Sequence, residues 1–78
     1  MEPDVRDVTF ATYRAGGATA LIEGFAIATE LGQPLRELDA PLAEAVEQDL
    51  LIRGEHPETK RLAFRLAPAG QAMVDGAE

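Results

Sequence analysis

The chain has 78 residues and a net charge of −7, from 14 acidic and 7 basic side chains. That length holds one domain, residues 1 to 78, burying only roughly 60% of the surface its unfolded form exposes. The sequence contains no Cys, Ser, Asn or Trp, which excludes disulfides, thiolate metal sites and serine or cysteine nucleophiles, and leaves its single histidine, His56, nothing to activate.

The start, Met1-Glu2-Pro3-Asp4, is acidic and no apolar run of leader length follows it. No stretch approaches the roughly 20 apolar residues of a membrane span. The expectation is a cytoplasmic protein, complete from Met1, with no membrane association, metal or cofactor. Absence of Cys fits a reducing compartment. Residues 4 to 15 allow two readings. Val5, Val8 and Thr12 fit a helical stripe with Asp4 as N-cap, and Gly16-Gly17 ends it. Val8 to Tyr13 is also strand-like in composition. The helix is preferred.

Residues 18 to 31 predict a helix in which Leu21, Phe25, Ala28 and Leu31 share a face and Gly32 and Pro34 end it. Ile22, Ala26 and Ile27 make it apolar around most of its circumference. Either it is the central core helix or part of it faces another subunit, with Ile22, Phe25 and Ile27 as the candidate interface. Residues 34 to 39 suggest a short helical turn. Asp39 is placed to cap the next helix, with Pro41 in its first turn, running to about Leu51 with Leu42, Val46 and Leu50 inward and Glu44, Glu47, Gln48 and Asp49 outward.

Residues 51 to 66 read as a β-hairpin. Leu62, Phe64 and Leu66 alternate with Arg61, Ala63 and Arg65, with Leu51 to Glu55 as partner strand and His56 to Lys60 as an exposed tip. Arg61 and Arg65 are expected to face Arg53 and Glu55 across the strands. Pro68 starts a last short helix through Val74, and Asp75 to Glu78 fray. The fold class is therefore α+β: helices, a two-stranded hairpin, and a short C-terminal helix.

That order is the order of a winged helix-turn-helix, and residues 41 to 74 resemble the MarR family of that fold. Residues 42 to 53, which end in Leu51-Ile52-Arg53, are similar to a recognition helix passing into its wing. His56-Pro57-Glu58-Thr59-Lys60-Arg61 resembles the wing tip Asp-Pro-x-Asp-x-Arg, and Leu66-Ala67-Pro68-Ala69-Gly70 the closing Leu-Thr-Pro-x-Gly, with Ala67 in place of Thr. The resemblance implies that Lys60 and Arg61 touch phosphates or the minor groove, and that the helix from Pro41 enters the major groove.

The sequence departs from that role. Glu44, Glu47 and Asp49 occupy the helix, which holds no Arg or Lys before Arg53, and only Gln48 has the chemistry to read a base. Four of the seven cations, Arg53, Lys60, Arg61 and Arg65, gather in the hairpin. Two functions follow as expectations. The preferred one is a non-enzymatic winged-helix-like regulatory module acting through protein–protein contacts, as a homodimer or with another protein. The alternative is a small DNA-binding transcriptional regulator that uses Arg53, Lys60, Arg61, Arg65 and Gln48.

Overall fold

In the computed structural model, residues 3–76 are described; the acidic start at Met1 and Glu2 and the expected fraying at Ala77 and Glu78 lie outside them. The first helix, α1 (Val5–Arg14), starts at a reciprocal cap. The Asp4 carboxylate accepts the Asp7 N–H at 2.9 Å, and the Asp7 carboxylate accepts the Asp4 N–H at 3.1 Å. Two donors with no partner inside the helix are thereby satisfied, which favours helix over strand for this segment. Thr9 and Thr12 are buried because their hydroxyls donate to the carbonyls of Val5 and Val8, both at 2.7 Å.

The expected helix over residues 18 to 31 divides. Ile22–Glu23 is a short strand, β1, and the helix α2 covers only Gly24–Leu31. Ile22 pairs with Phe64 and Glu23 with Ala63. Long-range pairing thus takes two residues whose apolar periodicity also suits a helix. The division also shifts the phase of the inward face. Ile27 is fully buried and Phe25 is exposed, so Ile27 belongs to the core and is not presented to another subunit. Leu21, expected on the helix, instead lies over the backbone of Gly54.

A 3₁₀ turn, Leu35–Glu37, leads into α3 (Asp39–Glu47). Asp39 makes no cap: Leu38 is the N-cap, and no side chain bonds there. The helix stops four residues short of Leu51 because Asp49 turns left-handed at φ +61°. The Asp49 N–H donates to the Val46 carbonyl at 3.1 Å and the Leu50 N–H to the Ala45 carbonyl at 2.9 Å, the paired bonds of a Schellman ending. Leu50 is buried by that turn rather than by a further turn of helix.

Strands β2 (Leu51–Glu55) and β3 (Leu62–Leu66) form the hairpin, and α4 (Pro68–Gly76) follows. This helix runs past Val74 through Asp75 and Gly76, where fraying was expected; Asp75 accepts from Gln71 Nε2 one turn back at 2.9 Å. The sheet is three-stranded and antiparallel in the order β1-β3-β2, one strand more than the two expected. Its register pairs Leu51 with Leu66, Ile52 with Arg65, Arg53 with Phe64 and Glu55 with Leu62. The expected Arg–Glu partners across the strands are therefore not opposite one another. The core gathers Val8, Ile27, Leu38, Leu42, Phe64 and Val74 between the helices and one sheet face. Among the described residues no helix is long and apolar enough to cross a membrane.

Candidate functional site

A groove of about 390 Å³ opens between α3, the start of α2, the 3₁₀ turn and the hairpin. Three large apolar side chains line it while remaining exposed: Phe25 at 55%, Leu35 at 44% and Leu62 at 54%. Each has a local cause. Phe25 follows Gly24 at the start of α2 and lies off the buried row of Gly24, Ile27 and Ala28. Leu35 opens the 3₁₀ turn, none of whose residues is buried. Leu62 shares a sheet face with Phe64 and Leu66, but it is the outermost of the three, beyond the reach of the core.

The groove has walls of opposite charge. Asp39 and Ala43 of α3 line one side, and Glu47 continues that row one turn further on. Glu44, Glu47 and Asp49 are all exposed. Arg53 and Arg61 of the hairpin line the other side. Among the described residues the one ion pair is Arg14–Glu30 at 3.2 Å, so these opposing charges stand unpaired. Glu23 also lines the groove, but it is nearly buried and accepts a hydrogen bond from the Thr59 hydroxyl in the hairpin tip.

The cations singled out in the sequence do not form one ridge. Arg53 faces the groove with Phe64, whereas Arg65, opposite Ile52, occupies the other face of the sheet. Lys60 sits at the tip with φ +64°. Gln48 follows the last turn of α3 and donates from Nε2 to Glu44 Oε1 at 3.2 Å, engaging it with its own helix. Of the three expected interface residues, Phe25 lines the groove, Ile22 is half-buried in β1 and Ile27 is inside.

His56, expected as a plain exposed turn residue, organises the tip. Its Nδ1 accepts the Glu58 and Thr59 N–H groups at 3.2 and 3.3 Å, and its own N–H donates to the Arg61 carbonyl at 2.9 Å. The sequence reading also missed Leu35, Leu62 and the Glu23–Thr59 bond. Leu62 carried a signal, as the first apolar residue of an alternating run beside a turn. Neither of the others is marked by periodicity. No protein-family model, curated protein or solved structure matches the chain.

Proposed function

We propose that this chain is a non-enzymatic, winged-helix-like regulatory module that works through protein–protein contacts at the groove, in the cytoplasm. One observation carries the reading: Phe25, Leu35 and Leu62 converge on a single concave surface while about half exposed. Exposed apolar side chains are ordinary singly, but gathered in one hollow with charged rims they fit a protein-contact site. The unpaired carboxylates of α3 weigh against duplex DNA. A polyanion docked on the helix and hairpin together would meet the exposed Asp39, Glu44 and Glu47 as well as the hairpin cations. The likeness of residues 41 to 74 to MarR wings supports the architecture, while the acidic helix redirects its use.

The test places a photo-crosslinking phenylalanine analogue at position 25 in cells, and the same analogue at the exposed Ala72 of α4. The expected result is discrete protein adducts from position 25 and none from position 72. Absence of protein adducts at position 25 overturns the proposal. So does binding of a labelled random-sequence duplex whose affinity falls steeply with salt, which reports phosphate contacts.

A further inference from the structure

We infer that the occupant of the groove is a second copy of this chain, related by a two-fold axis that lays the hairpin of each copy over α3 of the other. The inference rests on the reading of this face as a protein-contact surface and names its partner.

An isologous contact needs a patch complementary to itself after a two-fold rotation. The face has that order. On the α3 side Asp39 lines the groove, Glu47 continues its row one turn on, and the segment from Asp39 to Asp49 holds no cation. On the hairpin side Arg53 and Arg61 line the groove, while Arg65 lies on the other face of the sheet. The apolar lining of Phe25, Leu35 and Leu62 lies between them. Rotation about an axis through that lining brings acid onto base on both flanks and apolar onto apolar in the middle. A polyanion would match only the hairpin, and a polycation only α3. A second copy matches both.

Net charge opposes association, and local charge pairs favour it. At −7, two copies repel one another as whole molecules. Charges more than about 8 Å apart are largely screened at physiological salt, so the local pairs decide the contact. Among the described residues Asp39 and Glu47 of α3 and the guanidinium groups of Arg53 and Arg61 form no ion pair. Bringing them together across the interface gives specificity to a contact whose attraction comes from the apolar centre.

Two charge-reversed variants test this. One is Arg53→Glu with Arg61→Glu, and the other is Asp39→Lys with Glu47→Lys. All four side chains are exposed, and circular dichroism checks that each variant folds. Starting from −7, both variants remain net negative, so bulk attraction between them cannot imitate pairing. Sedimentation equilibrium across a dilution series is expected to show a wild-type dimer. Each variant alone is expected to dissociate at least about tenfold more readily, because like charges then face each other on both flanks. An equimolar mixture is expected to regain the wild-type affinity as a mixed dimer, seen by native mass spectrometry, since each reversed flank meets its complement. A wild type that stays monomeric at every concentration overturns the inference, as does a mixture that fails to pair. If that monomer still gives protein adducts from position 25, the groove reading stands and only the partner is wrong. Loss of those adducts removes both.

Discussion

Gly70 lies against the carbonyl oxygen of Leu50 so closely that a Cβ on Gly70 would fall inside the oxygen's contact radius. The same oxygen accepts the Ala67 N–H at 3.0 Å, so it cannot swing away without giving up that bond. This crossing seats the first turn of α4 on the connection between α3 and β2, and it gives the glycine of the closing Leu-Ala-Pro-Ala-Gly segment a physical cause. In an open helix Gly→Ala gains about 1 kcal/mol. Here overpacking against backbone stands near the top of its range, about 3 kcal/mol. Gly70→Ala is therefore expected to lose about 2 kcal/mol net in urea unfolding. Gly76→Ala, with open space around it, is expected to lose nothing. An unchanged midpoint for Gly70→Ala would show that α4 is not seated this way.

Asp49 and Gly32 occupy the same left-handed position after their helices, at φ +61° and +65°. Glycine takes that conformation freely, whereas a residue with a Cβ is strained there by about 1 kcal/mol. Asp49 also places a negative charge at the negative end of α3. Asp49→Gly is thus expected to stabilise the protein by about 0.5–1 kcal/mol. Gly32→Ala meets nothing within 4 Å, so backbone strain acts alone, and it is expected to destabilise by about 1 kcal/mol. Equilibrium unfolding of the two variants with opposite signs is the check, and two losses would contradict it.

The ends of the elements were readable where a side chain or a glycine fixes a local hydrogen bond. Asp4 marks the start of α1 and Gly32 the end of α2. The alternation of Leu62, Phe64 and Leu66 marks β3, because a period of two survives in a strand covered on one face. What was hidden depends on distant partners. Residues 18 to 31 are apolar nearly all round, so their composition carries no phase, and the pairing of Ile22 with Phe64 decides which side chains turn inward. That choice exposes Phe25 and creates one side of the groove. Leu62 is marked by its place at the turn end of the alternating run, whereas Leu35 joins the groove through tertiary placement, which no local pattern encodes. The charges were readable as two clusters, but their arrangement as opposite walls required the fold.

The hairpin tip is pinned to the sheet's first strand by one side-chain pair. The Thr59 hydroxyl donates to the nearly buried Glu23 carboxylate across 36 positions of sequence. Thr59→Val keeps the shape but leaves the carboxylate without that donor, at a cost of about 1–3 kcal/mol. Removing both partners is gentler than removing one, because no polar group is then stranded. Thermal unfolding of Thr59→Val, Glu23→Leu and the double variant is expected to give a double variant more stable than Thr59→Val alone. Strict additivity would show that the two groups do not interact.

Phe25 and Ile27 are two positions apart on α2 and have opposite fates. Ile27 is fully buried in the core, and Phe25 is exposed in the groove. A carboxylate at Ile27 has neither water nor a cation to meet, and the loss is expected to exceed about 3 kcal/mol, a large share of what so thin a core supplies. Ile27→Glu should therefore unfold the chain, seen as loss of its helical circular dichroism, so its loss of assembly carries no information about an interface. Phe25→Glu leaves every core contact in place, and its unfolding midpoint is expected to stay within about 0.5 kcal/mol of the wild type. Its association is a different matter. The apolar centre of the groove then carries a charge in both copies of a two-fold contact, and the dimer is expected to weaken by at least about tenfold in sedimentation equilibrium. A folded Phe25→Glu that associates as tightly as the wild type would place the contact surface elsewhere, because Phe25 lines the groove without entering the core.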